Sequence, residues 1–273
     1  MQPIATAHLF PEIRQLLLEL LADLSPDEWT RQTTAGQWTV KDVALHILGG
    51  DLGNLARRRD NCWIPSAPLD NYADLVDFIN RINQQWVEAS RRLSTQLIID
   101  LLAHAGGQAD EYFMSLDPNA LGDTVSWAGP DPAPNWLDVA REYTERWHHQ
   151  QQIRDATNRP GLYQVHLFGP ALDAFVRALP RAFSKTEAPL GTTIQLTIPG
   201  DAGGYWLVRR AVDVWELSRG QVANPAAEVA IQPETAWKIF TRGIRDPKPG
   251  VDARISGDLR LGSVMLGTVS VIA

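Results

Sequence analysis

The chain is nearly without cysteine: a single residue, Cys62, stands among 273. That excludes an internal disulfide framework and a cysteine-built zinc ribbon, and it suits a reducing compartment. A run of about 18 apolar residues, the length that crosses a bilayer as a helix, is missing. The first twenty residues carry Glu12, Arg14 and Glu19 among their leucines. No basic stretch leads there into an uncharged apolar core, so the reading is of a chain without a secretory signal. Basic excess is absent too: 25 Lys and Arg face 32 Asp and Glu, a net charge of -7. Phosphate backbones demand the opposite balance. The basic triplet Arg57-Arg58-Arg59 reads as a solvated helix face. Repeats and low-complexity tracts are lacking. The expectation is a cytoplasmic protein with neither a membrane nor a nucleic acid as partner, and oligomeric state has no signature in the sequence.

What is present is globular material. Hydrophobic residues make up 44% and charged ones 21% of the chain, the composition of a packed protein, and the length suits two ordinary domains. The first 160 residues carry a helical period. Apolar residues at 13, 16, 17, 20, 21 and 24 form one stripe, and Ser25-Pro26-Asp27 ends it. Thr39, with Asp42 three residues on, reads as an N-cap, followed by a second stripe through Val43, Ala44, Ile47, Leu48, Leu52 and Leu55. Pro65 and Pro68 mark a loop. A third helix is expected over 72–93, a fourth over 96–113, an irregular connection over 117–134, and a fifth helix from Asn135 to the stop signal Asn158-Arg159-Pro160-Gly161. Beyond it the period changes. Val165 to Phe183 reads helical, then residues 192–198, 205–208, 212–217 and 227–231 read as strands, and Thr235 to Thr241 as a helix. The spacing thus predicts a helical bundle over 1–161 and a smaller α+β domain over 162–273.

Two places can carry chemistry. His46 sits at the edge of the second stripe. Glu145, His148 and His149 lie together on the fifth helix, where Glu145 and His149, four apart, share a face. With a ligand from another helix they would form a three-residue metal site with an open position. The same pair is equally the pattern of an exposed helix pair, and the apolar stripe Trp136, Val139, Ala140, Tyr143, Trp147 turns Glu145 nearly away from the core. Spacing leaves both readings open. Trp38, Trp63, Trp136 and Trp147 are either pocket-lining or core aromatics. Cys62 is either near the site or an inert small hydrophobe.

Two segments resemble those of a known family. Trp38-Thr39-Val40-Lys41-Asp42-Val43-Ala44-Leu45-His46 is similar to the W-[ST]-x-x-[DE]-x-x-x-H signature of DinB-like proteins. Glu145-Arg146-Trp147-His148-His149-Gln150-Gln151-Gln152-Ile153 resembles the E-x-x-x-H-x-x-[DQ]-[IL] segment of the mycothiol-dependent maleylpyruvate isomerase branch. Ile255-Ser256-Gly257-Asp258-Leu259 and the apolar tail to Ala273 resemble, more loosely, that branch's sterol-carrier-like C-terminal domain. The resemblance implies a DinB-like four- or five-helix bundle followed by a sterol-carrier-like α+β domain. It implies a divalent metal, zinc before nickel or another ion, held by His46, Glu145 and His149, with His149 preferred over His148. It implies mycothiol or a similar low-molecular-weight thiol as cofactor, and isomerisation or S-transfer on a small electrophile. An arginine of the C-terminal domain is implied as holding the substrate. Arg242 is the candidate, with Arg209 and Arg210 behind it, and each is also readable as plain surface charge. Two other functions remain on the page. One is a non-catalytic carrier of a lipid or apolar ligand, with residues 264–273 as tunnel lid or plain core. The other is a metal-dependent hydrolase with Glu142 as base, a residue that otherwise reads as an exposed helix acid.

Overall fold

The computed structural model describes residues 2–63, 71–129 and 131–271. Pro65, Pro68 and the last two residues of the apolar tail lie outside the described residues. The chain forms two compact units. One contains Ala5–Ala120 and Pro134–Leu162; the other contains the chain start up to Ile4, Leu121–Ala133 and Tyr163–Val271.

The first unit is helical: α1 (Phe10–Ala22), α2 (Val40–Asn54), α3 (Tyr72–Ser90), α4 (Thr95–Ser115) and α5 (Asn135–Ala156). Helix α1 buries Ile13, Leu17, Leu20 and Leu21, the stripe that the period predicts. Helix α2 starts on a full capping box. The Thr39 hydroxyl accepts from the Asp42 amide and the Asp42 carboxylate accepts from the Thr39 amide, satisfying donors that a helix start otherwise leaves open. Arg91, just past α3, clasps the same carboxylate at 2.8 and 3.1 Å. Trp86 of α3 donates its indole N–H to the Leu45 carbonyl at 2.7 Å. A Cβ at Gly49 would come within 2.5 Å of that indole, so only glycine lets α3 lie this close to α2. Beyond Asn54 the chain continues as a π-turn over Leu55–Arg59.

The end of α5 is tied back by Arg159, which donates to Glu28 at 2.6 Å and to Asp23 at 3.0 Å. The hydrogen bond from Arg159, then that from the Ser25 amide, brings the Glu28 carboxyl from 4.5 down to about 2. A carboxylate held low in the folded chain stabilises fully above its ordinary value and loses that contribution as pH falls toward 2. Thermal unfolding followed from pH 5 to pH 2 is therefore expected to show a falling midpoint, less steep in Glu28→Gln.

In the second unit, α6 (Val165–Phe175), α7 (Leu179–Ala182), α8 (Pro233–Phe240) and α9 (Leu259–Leu266) accompany a sheet. Its strands are β3 (Thr193–Ile198), β4 (Gly204–Arg210), β5 (Trp215–Arg219), β6 (Ala227–Ala230) and β7 (Arg254–Gly257), in the order β5-β4-β3-β6-β7. Strands β3 and β6 run parallel and the other neighbours antiparallel. Ile194, Leu196 and Ile198 alternate inward and are buried with Trp206, Val208, Phe168, Phe175, Trp237 and Phe240. The expected strand over 212–217 begins later, at Trp215, because the Ala211 amide donates to the Val214 carbonyl and makes a turn of Val212 and Val214. The segment expected to be irregular, 117–134, holds two short paired strands, β1 (Leu121–Thr124) and β2 (Pro132–Pro134). Among the described residues no helix is long and apolar enough to cross a membrane.

Candidate metal centre

Helix α5 differs most from its sequence reading. A wheel with one apolar stripe puts Glu145 in water, yet buried residues run right round α5, from Asp138 and Glu142 through Tyr143, Trp147 and His148 to Gln150, Gln151 and Gln152. A helix packed on most of its circumference needs polar groups that satisfy one another, and this one carries them.

Opposite α5, helix α2 and its π-turn offer a matching series. Asp51 accepts from Arg146. Asn54 donates to Glu142 at 2.8 Å. Arg58 donates twice to Asp138, at 2.8 and 3.0 Å. Positions rise on one helix as they fall on the other, as in antiparallel packing, and the next pair in the series is His46 against His149. Arg141 adds contacts to Asp138 at 2.8 Å and to Glu142 at 2.7 Å. The guanidinium of Arg146 lies over the rings of Phe10 and Phe113 at 5.1 and 5.2 Å. Burial alone would raise the Glu142 carboxyl, but Arg141, Arg58 and Arg146 hold it far below the ordinary range. Burial raises Asp51 in spite of Arg146. Two sequence expectations fail here for one reason. Arg58 is not part of a solvated triplet, and Glu142 is not an exposed acid, because the π-turn and the enclosed helix bring them together inside the bundle. Glu142 is committed to three arginines and an asparagine, which leaves no basis for its role as a hydrolytic base.

At the end of this series His46, Glu145 and His149 each place one ligand atom within 4.8 Å of the others. Nε2 of His149 lies 3.4 Å from Oε2 of Glu145, and the His46 and His149 rings meet edge to face with centroids 4.5 Å apart. Trp38 covers His46 at 4.8 Å between centroids and donates its indole N–H to Gln84 at 2.9 Å. Burial, then the neighbouring His149 imidazole, pushes His46 down to about 3, so it is neutral and its lone pair is available. Burial would raise Glu145, but the neighbouring His149, His148 and His46 imidazoles bring it down to about 2. Two of the three donors are thus a neutral imidazole, His46, and an ionised carboxylate, Glu145, donor types found at three-residue zinc sites.

The hydrogen bonding gives a direct test of fit. Nδ1 of His149 lies 2.8 Å from Oε1 of Gln152, an oxygen that only accepts, so Nδ1 is the donor and in the neutral ring the lone pair is on Nε2. That lone pair faces a carboxylate oxygen, an arrangement of acceptor against acceptor that a cation between them relieves. His148 is arranged otherwise: Nδ1 donates to the Thr144 carbonyl at 2.7 Å, one turn back, and the residue is outside the cluster. Burial lowers it to about 3.

The remaining candidates scatter. Trp147 is core, with its N–H donated to the Leu162 carbonyl. Trp63 is 59% exposed, with Arg57 over its ring. Cys62 is an exposed thiol. Arg242 belongs to the other compact unit, exposed just past α8 with φ at +58°. Arg209 is exposed on β4, and Arg210 lies over Trp215 at 6.0 Å.

Comparison with known proteins follows the same lines. A family model, the mycothiol maleylpyruvate isomerase N-terminal domain, matches residues 10–154. The crystal structure of the mycothiol-dependent maleylpyruvate isomerase superposes with a TM-score of 0.53 at 10% identity, covering 93% of this chain and 92% of that one. The structure of its histidine-to-alanine mutant gives 0.51 at the same identity and coverage. At that identity the likeness speaks for a shared fold. No curated protein sequence matches the chain. The family match spans α1 to α5 and with them every residue of the candidate centre: the chain belongs to the mycothiol maleylpyruvate isomerase N-terminal domain family.

Proposed function

We propose that this chain is a metal-dependent enzyme that uses a low-molecular-weight thiol, mycothiol or a close analogue, for isomerisation of, or S-transfer to, a small electrophile. The observation that carries the reading is the cluster of His46, Glu145 and His149, with Nε2 of His149 3.4 Å from a carboxylate oxygen of Glu145. These three residues would hold a divalent ion, zinc first, with nickel or another ion as alternatives. When bound, such an ion supplies the positive charge that keeps a thiol deprotonated at neutral pH.

The chain's own residues do the rest. Trp38 walls the His46 side, and the paired charges of α2 and α5 hold both ligand-bearing helices in register. In isomerisation the thiol sulfur adds to one carbon of an activated double bond. The former double bond rotates, and elimination returns the thiol. In S-transfer the sulfur stays on the product. Arg242, from the second unit, is our candidate for holding an acidic substrate. The two outcomes separate by stoichiometry, since isomerisation regenerates the thiol and transfer consumes one thiol per turnover.

The test is isothermal calorimetry of mycothiol against zinc-loaded and zinc-stripped protein. Binding to the loaded form alone is expected. Equal binding to both forms, or to neither, would sink the thiol reading. Binding of a fluorescent fatty acid with no dependence on metal would favour the carrier.

A further inference from the structure

Three consecutive glutamines follow the last ligand, and the structure gives them different neighbours. Gln150 donates to the Ile13 carbonyl of α1 at 2.9 Å and accepts from Arg154 at 3.2 Å. Gln151 is buried, with an amide nitrogen that meets no hydrogen-bond partner among the described residues. Gln152, 3% exposed, places Oε1 2.8 Å from Nδ1 of His149. We propose that Gln152 is a positioning residue: its carbonyl oxygen holds His149 in the tautomer that carries its proton on Nδ1, and so keeps the Nε2 lone pair directed at Glu145.

The argument rests on what the other tautomer would do. With the proton on Nε2, His149 would donate to Glu145 across the present 3.4 Å. The two ligands would then satisfy each other, and a cation would have to break that hydrogen bond and displace the proton. The same tautomer would leave an unprotonated Nδ1 facing the Gln152 oxygen, acceptor against acceptor, at 2.8 Å. A buried polar pair left in that state loses its hydrogen bond without regaining one to water. Gln152 therefore sets the sign of the choice before any ion arrives. Outer partners of this kind, donated to by the far nitrogen of a metal-bound imidazole, typically change metal affinity by about 10–100-fold. The bond lies within α5, between residues three apart, so it persists wherever the helix does. The ring of His148, 3.9 Å away between centroids, is held to its own backbone carbonyl and does not compete for Gln152.

This inference rests on the metal-centre reading, and the experiment separates the two. Long-range proton–nitrogen correlation spectra of the metal-free full chain at neutral pH report which ring nitrogen of His149 carries the proton. Zinc affinity is then measured by competition with a chromophoric chelator for wild type, Gln152→Leu, Gln152→Glu and Gln150→Leu. We expect Nδ1–H in wild type and in Gln152→Glu, and loss of that preference in Gln152→Leu. Zinc affinity should fall about 10–100-fold in Gln152→Leu and be kept or tightened in Gln152→Glu. The Gln150→Leu control, which removes a buried hydrogen bond of similar size elsewhere on α5, should leave tautomer and affinity unchanged. Proton on Nε2 in wild type, or wild-type zinc affinity in Gln152→Leu, overturns the inference and leaves the metal centre standing. No zinc binding by wild type overturns both.

Discussion

His46→Ala and His149→Ala are each expected to reduce bound divalent ion from near one per chain to near none when the purified proteins are measured by elemental mass spectrometry. Removing an outer partner of a metal-bound histidine already costs about 10–100-fold in affinity, so removing the ligand itself should cost more than about 100-fold. The effect is large because the donors are few. With three side chains in the cluster, the loss of one leaves two: after His46→Ala, Glu145 and His149, an ordinary i, i+4 helix pair worth about 0.3–0.5 kcal/mol, and after His149→Ala, His46 and Glu145 on separate helices. A second consequence follows by mass action. An ion that binds only the folded chain stabilises it by about 4.1 kcal/mol at a concentration 1,000 times its dissociation constant. Chelation should therefore lower the thermal midpoint of wild type and leave His46→Ala unmoved. Retention of metal in His149→Ala with loss in His148→Ala would transfer the ligand role to the neighbour. Metal-free wild type, even after zinc addition, would end the catalytic proposal.

Arg146→Met is the substitution expected to cost most in stability. The side chain is 9% exposed, contacts Asp51 and Glu142 and lies over two phenylalanine rings. Methionine keeps much of the volume but removes the charge, leaving a buried carboxylate on α2 without its cation. Breaking one side of a buried ion pair typically costs about 3–5 kcal/mol, mostly as the penalty on the charge left behind. Urea unfolding of the full chain should show that loss at neutral pH. Asp51 is already raised by burial, and without Arg146 it rises further. A carboxyl whose folded value lies above its unfolded one destabilises at high pH and ceases to do so once protonated, so the deficit should shrink as pH falls. Arg146→Met with Asp51→Asn should recover part of the loss, since the two residues act as a unit. A deficit below about 1 kcal/mol, or one that grows on acidification, would show that this pair is not what holds α2 to α5.

What the sequence could and could not convey divides along the range of the interactions. The start of α2 was legible because a capping box is closed within four residues, Thr39 to Asp42. The stripe of α1 and the inward alternation of β3 were legible for the same reason: each pattern repeats within one element. The third of the expected strands begins late, past Val212 and Val214, where alternation continues into a turn and Val212 is 73% exposed. Hydrophobic alternation does not say where a hairpin closes.

The candidate centre shows the same division more sharply. Glu145 and His149 share a helix face by spacing alone, but the residues that face them come from α2, about a hundred positions earlier in the chain. Spacing within α5 assigned Glu145 to solvent, because a single apolar stripe implies water on the opposite side. The tertiary structure instead encloses α5 and fills its polar side with Asp51, Asn54 and Arg58. Each of these sits at helical spacing on α2 and its π-turn, as Asp138, Glu142 and Arg146 do on α5, yet neither series carries the address of the other. The resemblance of the two motif segments stood in for that missing address. By itself the sequence determined which helices of the first unit form, where they start, and which residue types are available as metal donors. Only the packing decided that His46 meets Glu145 and His149. Helix formation is settled by contacts three and four residues apart, whereas donor geometry is settled by which faces are buried against each other, and that is a property of the whole bundle.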